Sequence, residues 1–378
     1  NEMKGAMSSA TSVLWQTLSK YLYPTTTYHF NSGGEPTDIP DLSYDELVAF
    51  YQTHYHPSNA IFMTYGDIPA AELQQRIHDQ ALNEFERSDV EIKVADEKRY
   101  FSPLEIRDAY ASDESPKQHS HHVMGWLLGP SINLQEQLEA HLLSNVLLQD
   151  SASPLRHALE SSSLGAAPSP LCGLEDSNRE MCFVCGIEGG SEADSTEIAN
   201  LIIETLQQVA NKGVDQSQLE SVLHQLELSQ REVRGDGFPY GLQLILAGLP
   251  SAVHRGDPIA ILNLDPVLEG LREAIKDPNY IQNLVKRLLL DNPHRVQLTL
   301  VPDADLDRRR QQAEREQLAT IKKALSAEQA AQVIDLSEAL KRRQGQQDDE
   351  SILPKVGIAD VPDRMEIPVG GLLETNVA

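Results

Sequence analysis

Cysteine is scarce: Cys172, Cys182 and Cys185 are the only three in 378 residues. Three thiols cannot staple a small scaffold, and so few in a long chain point to a reducing compartment. No apolar run approaches the roughly eighteen residues that a membrane-spanning helix needs, so no membrane segment is expected. Positive charge is the minority sign, with 31 Lys and Arg against 57 Asp and Glu and a formal net charge of −26. That balance argues against nucleic acid as a partner over any broad surface, because phosphates would be repelled. It suits solubility and cationic partners such as basic peptides. Nothing after Asn1 resembles a signal peptide. The missing initiator methionine makes the start look internal, so further parts of the same protein are expected on both sides.

What is present is ordinary for a globular protein: 40% apolar and 23% charged residues. The length exceeds one hydrophobic core, so two or more domains are expected. Val13, Leu14, Leu18, Tyr21 and Leu22 recur at helical spacing, and Pro24 ends that stretch. Ser43 with Glu46 reads as a capping box. Ala60–Tyr65 reads as a strand stopped by Gly66-Asp67, and Pro69 opens a helix with Leu73 and Ile77 on its face. Residues 87–118 are charged and irregular, with a domain boundary near 100. Beyond it, His122–Leu128, Met181–Ile187 and Val296–Val301 read as strands. Helices are expected from Leu134 to Leu147, from a Ser195 cap to Lys212-Gly213, from Ser217 to Val233 and within 240–290. Asp257-Pro258 and Asp265-Pro266 read as turns. Polar helices fill 307–323 and, after a Ser326/Gln329 cap, the stretch to Arg343. Gly345–Glu350 is a linker and 351–378 an extended tail. More helices than strands, with strands free to pair antiparallel, make this an α+β fold with helices packed on one face of a sheet.

Several side chains invite a chemical reading. His54-x-His56 has the look of a metal pair but precedes a Pro-Ser-Asn turn, where a structural role fits better. His119, His121 and His122 cluster at a strand start and read as solvated. Cys182 and Cys185 have CxxC spacing, yet on a strand they point to opposite faces, so they read as small buried hydrophobes. Gly186–Gly190 lacks the Lys-Ser/Thr of a phosphate loop, which argues against nucleotide binding.

The strongest pattern is a series of ordered blocks. They are Asn1-Glu2-Met3-Lys4-Gly5-Ala6, Tyr28, Ser32-Gly33-Gly34-Glu35-Pro36, Ile39-Pro40, and His54-Tyr55-His56-Pro57-Ser58-Asn59-Ala60 followed by Thr64-Tyr65-Gly66. In order and spacing they resemble the presequence-protease branch of the pitrilysin/insulinase zinc metallopeptidases. Weaker similarity continues through Ser163-Leu164-Gly165 to Pro354. The resemblance implies an inverted zinc motif, His-x-x-Glu-His, and a third ligand, a Glu, roughly a hundred residues downstream. That Glu falls on Glu2. Without the resemblance, Glu2 would read as a surface Glu near a helix N-terminus. No His-x-x-Glu-His occurs in this chain, so both His ligands and the general base are expected upstream of Asn1. No catalytic residue is expected here, and one carboxylate is not expected to retain zinc alone.

The resemblance also implies four related domains of metallopeptidase (LuxS/MPP-like) fold, two-layer with helices on a mainly antiparallel sheet. A helical hairpin joins them as two halves around a closed chamber. On that scheme residues 1–100 end the zinc-bearing domain and 101–302 form a second, non-catalytic one. Residues 303–347 form the hairpin, and 348–378 lead into the second half. The implied activity of the whole protein is zinc-dependent endoproteolysis of short unfolded peptides. The alternative is a non-catalytic, peptide-binding or scaffold half. Substrate-gripping residues are expected outside this chain. The Gln- and Ala-rich helices suggest a bacterial cytoplasm, or the mitochondrial matrix if the source is eukaryotic.

Overall fold

The computed structural model describes residues 2–114, 116–233, 238–361 and 364. The chain divides into two compact units, 1–312 and 313–378.

The first unit opens with α1 (Glu2–Ala6) and α2 (Ala10–Leu22). Ser9 caps α2 by accepting the Ser12 N–H, and Val13, Leu14, Leu18 and Leu22 form one buried stripe at the spacing read from sequence. α3 (Tyr44–His54) starts from the reciprocal Ser43/Glu46 capping box, and α4 (Ala70–Gln80) follows Pro69. Neither α3 nor α4 buries a residue; Phe50, Tyr51 and Tyr55 lie exposed. Next come β1 (Leu104–Ala111), β2 (Ser120–Pro130), α5 (Leu134–Leu148) and α6 (Pro154–Ser161). Short strands β3 (Ala167–Pro168) and β4 (Gly173–Glu175) precede the long β5 (Glu180–Gly190). Then α7 (Ser195–Lys212), α8 (Gln216–Arg231), α9 (Tyr240–Val253), α10 (Pro258–Leu262), α11 (Asp265–Ala274) and α12 (Tyr280–Val285) lead to β6 (Arg295–Asp303).

The sheet runs in the order β1-β6-β2-β5-β3, with β4 also on β5. β2 lies between antiparallel β5 and β6, and β1 joins β6 in parallel. β2 and β5 are near-continuous apolar runs because both of their faces are covered. On one face Met124, Trp126, Leu128, Phe183 and Cys185 meet α5, α7, α8, α11 and α12. The Trp126 indole N–H donates to Leu289 O at 2.9 Å. On the other face Val123, Leu127, Cys182, Val184 and Leu298 meet the α2 stripe. Gly125 lets α2 lie close: a Cβ there would stand 3.0 Å from Leu22 Cδ1 and 3.1 Å from Leu18 Cδ1. Gly125→Val is therefore expected to overpack this layer and lower stability by about 1–3 kcal/mol. A urea midpoint unchanged from the parent would mean that α2 does not cover this face so closely.

Four local readings are corrected. The irregular stretch 87–118 contains β1, whose core-side pattern was hidden by Glu105, Arg107 and Asp108; such charges are usual on an edge strand. Ala60–Tyr65 forms no strand: β-propensity needs a partner, and among the described residues none pairs with it. Its Phe62 and Tyr65 are exposed. Asp257-Pro258 and Asp265-Pro266 are helix starts, with the Asp257 carboxylate accepting the Ile259 and Ala260 N–H groups. Ser195 is the first residue of α7 rather than its cap, and its hydroxyl meets Thr299 at 2.8 Å.

The helix α13 (Leu306–Ala324) contains the boundary between the units, and α14 (Ala327–Gln344) lies in the second. Ser326 and Gln329 close a reciprocal capping box on α14, as their spacing predicts. Leu336 and Leu340 of α14 are exposed. After Gly345 the described chain holds only the 3₁₀ turns Glu350–Ile352 and Ile358–Asp360. Most of the expected tail beyond 361 lies outside the described residues.

Candidate functional site

Glu2 stands in the first turn of α1 with its side chain exposed. Five residues are far too few for a helix to hold itself. Met3 of α1 lies against a turn some thirty residues on. The Asn31 side-chain oxygen accepts the Gly33 N–H at 3.1 Å, and its carbonyl accepts the Gly34 N–H at 2.9 Å. Gly34 has φ +85°, a conformation that favours glycine. The turn presents Gly33 to Met3: a Cβ on Gly33 would lie 2.7 Å from Met3 Cε and closer still to Sδ. At the other end of α1, Met7 packs against the α2 face of the core, and the Asn31 amide points at Met7 Sδ at 3.9 Å. Two blocks singled out in sequence, 1–6 and 32–36, are thus brought into contact.

The other candidate ligands have structural work to do. His54 stacks on Phe50 with ring centroids 3.9 Å apart, and its Nδ1 meets Phe50 O at 3.0 Å. His56 accepts the Ser58 N–H at the start of the 3₁₀ turn Pro57–Asn59. His121 and His122 are buried, not solvated as the sequence suggested, because β2 is an inner strand. His122 meets Ser191 O at 2.9 Å and Thr299 Oγ1 at 3.3 Å. Burial lowers the pKa of both imidazoles, partly offset by the Ser191 carbonyl for His122 and by Glu188 for His121. Cys182 and Cys185 are buried on opposite faces, and burial pushes Cys182 up to about 12 and Cys185 upward too, so both are inert thiols.

Sequence reasoning missed a polar junction that fastens the α2 region to the sheet. Glu97 accepts the Thr25 and Thr26 N–H groups at 2.9 and 3.0 Å, and its own N–H donates to Glu180 Oε2 at 2.5 Å. Arg99 bridges Glu180 Oε1 and Leu128 O. The Tyr23 hydroxyl donates to Glu180 O at 2.8 Å, and the Tyr28 hydroxyl accepts the Arg179 N–H at 2.8 Å. Burial raises Glu180 against the pull of the Glu97 N–H and Arg99. Burial also acts to raise Glu97, but hydrogen bonds from Thr25, Lys98 and Thr26 outweigh it, and its pKa ends below the ordinary value. His294, fully buried, completes the junction: Nε2 meets Leu22 O at 2.9 Å and Nδ1 accepts the Tyr100 N–H at 3.2 Å.

A catalytic zinc takes three protein ligands and keeps one open position. Among the described residues no three His, Cys, Asp or Glu side chains come together to hold an ion. Glu2 fits as one ligand of such a set, being an exposed carboxylate with no hydrogen bond or ion pair to a described residue. It does not make a site alone.

The Peptidase M16 inactive domain family matches residues 41–226, and a family described as associated with subfamily C of the same peptidases matches 300–374. The mitochondrial presequence protease of Xenopus tropicalis is 34% identical over 373 residues, covering 97% of this chain and 36% of that protein. Presequence protease 1, chloroplastic/mitochondrial, of Arabidopsis thaliana is 31% identical over 373 residues, covering 96% and 34%. Protein HypA of Clostridium perfringens is 27% identical over 365 residues, covering 96% and 37%. The chain thus spans about a third of the length of the curated relatives it matches. Among solved structures, a peptidase M16 inactive domain from Pseudomonas fluorescens superposes with a TM-score of 0.61 at 14% identity, covering 80% of this chain and 68% of that one. The first half of the periplasmic protease PqqL from Escherichia coli gives 0.57 at 14% identity, covering 87% and 66%. Both share the fold.

Proposed function

The chain belongs to the M16 peptidase family, and from that premise we propose that it is part of a zinc-dependent endopeptidase that degrades short, unfolded peptides inside a closed chamber. In this reading Glu2 is one zinc ligand, and the remaining ligands and the general base lie in parts of the protein outside this chain. The observation that carries it is similarity to presequence proteases along 97% of the chain. The exposed carboxylate of Glu2, with no hydrogen bond or ion pair to a described residue, supports the assignment. The chain's net charge of −26 favours basic peptides.

The proposed domains are 1–100 as the end of the zinc-bearing domain, 101–302 as a non-catalytic domain, 303–347 as a helical connection and 348–378 as the lead into the second half. The first boundary is supported by α3 and Ala60–Tyr65, where Phe50, Tyr51, Phe62 and Tyr65 are exposed and where, among the described residues, no strand pairs with Ala60–Tyr65. Among the described residues no helix is long and apolar enough to cross a membrane. The presequence proteases similar to this chain are named mitochondrial or chloroplastic, and another relative, HypA, is bacterial. A bacterial cytoplasm, or the mitochondrial matrix in a eukaryote, is the proposed location.

The test uses the complete protein. Glu2→Gln removes one anionic oxygen at nearly constant shape and is expected to abolish both bound zinc, read by metal analysis, and cleavage of an unstructured peptide. Retention of both would end the ligand assignment. A second reading, a non-catalytic peptide-binding half, is favoured by the description "inactive domain" for the family matching 41–226. It predicts that the complete protein binds peptides without cleaving them at any zinc concentration.

A further inference from the structure

We infer that the Asn31–Gly34 turn is the positioning element for Glu2, and that Gly33 is a glycine because Met3 occupies the space of its side chain. α1 has no buried residue of its own and only five residues, so its place is set by what Met3 within it and Met7 just after it touch. Met7, one residue past the end of α1, packs against the core. Met3 is the contact next to Glu2, and its thioether lies over the bare backbone of Gly33. A side chain at Gly33 would overlap Sδ and Cε together, so the flexible thioether would have to turn aside and give up the contact that lies next to Glu2.

Asn31 makes that backbone available. Its side-chain oxygen and its carbonyl hold the N–H groups of Gly33 and Gly34, and its amide faces Met7. One residue therefore addresses both ends of α1. Neighbouring groups that orient a metal ligand, without touching the metal, commonly alter metal affinity by about 10- to 100-fold when changed. Asn31, Gly33 and Met3 act on Glu2 in this indirect way, as positioning residues.

The inference rests on Glu2 as a metal ligand, and the experiment separates the two. In the complete protein, Gly33→Val, Met3→Ala, the double variant and Glu2→Gln are compared by zinc affinity in a chelator-buffered titration. Deuterium exchange is followed at the amides of Met7 and Ser8, which bond to Met3 O and Gly5 O. Gly33→Val is expected to weaken zinc by about 10- to 100-fold and to speed exchange at both amides. Adding Met3→Ala, which returns the space, is expected to recover both; a general loss of structure would not be rescued this way. If Gly33→Val does not fold, Gly33→Ala with and without Met3→Ala makes the same comparison. Unchanged affinity and exchange in the Gly33 variant, or no recovery in the double variant, overturns the inference, while loss of zinc in Glu2→Gln leaves the ligand reading standing. Zinc retained in Glu2→Gln removes the ligand reading, and the exchange rates then decide for or against the seat of α1.

Discussion

Gly186→Val is expected to leave the first unit unable to fold, and Gly186→Ala to destabilise it by more than about 4 kcal/mol, a size reserved for a few mechanisms. Gly186 lies in β5 opposite Val123 of β2, next to the register shift between Ser120 and His122. A Cβ on Gly186 would stand 2.7 Å from Val123 Cα and 2.9 Å from His122 C, with the His122 carbonyl oxygen closer still. These are backbone atoms of an inner strand. They cannot rotate away as a side-chain end would, so relief must separate β2 from β5. Those two strands carry Trp126, Leu127, Phe183 and Val184, all essentially inaccessible to solvent. Opening the pair would therefore loosen the layers on both faces of the sheet. Met3 beside Gly33 makes a useful contrast, because there the obstacle is a flexible thioether. Thermal or urea unfolding of the chain with each substitution is the measurement. A Gly186→Ala midpoint equal to the parent's would mean that the two backbones do not approach as described.

Much of this sheet was legible in the sequence. Met181–Ile187 and His122–Leu128 are apolar runs too short for helices and bounded by turn residues, and burial on both faces is what writes such runs. The Ser43/Glu46 and Ser326/Gln329 boxes depend on residues three apart and were equally plain. β1 was missed because an edge strand mixes charges into its pattern. Ala60–Tyr65 reads as a strand because propensity reports what the side chains favour, not whether a neighbour is present. The junction was invisible for a different reason. Glu97 and Glu180 are 83 positions apart and His294 and Leu22 are 272 apart, and no local pattern marks a charged residue that will be buried by partners so distant. At the candidate site, resemblance drew attention to the blocks holding Glu2 and Gly33. That Met3 rests on Gly33 is a fact of packing, and no spacing rule contains it.

The same junction predicts an acid-sensitive fold. His294 has its pKa lowered to about 4, first by burial and then by Arg99, with the Leu22 carbonyl and Glu97 pulling the other way. Its hydrogen bonds explain why the neutral ring is required: Nδ1 must accept the Tyr100 N–H while Nε2–H donates to Leu22 O, so a proton on Nδ1 would face a donor. Tyr100 also stacks on the ring with centroids 4.3 Å apart. In the unfolded chain the imidazole titrates near 6.5. Above that value neither state is protonated and His294 contributes its full stabilisation. As the pH falls from about 6.5 to about 4 the unfolded state gains a proton that the folded state refuses, and roughly 3 kcal/mol is lost. His121, His122 and His254 are also lowered by burial and act in the same direction. Glu97, lowered in the fold, removes further stability as it protonates at lower pH, whereas Glu180, raised by burial, opposes the trend while it takes up its proton. Urea unfolding at a series of pH values from 7 to 4 reads the sum. His294→Gln keeps a donor and an acceptor without a titrating ring; it is expected to be less stable than the parent at pH 7 and to lose distinctly less on acidification. Parallel pH profiles for the two chains would show that His294 takes up its proton as readily in the fold as out of it.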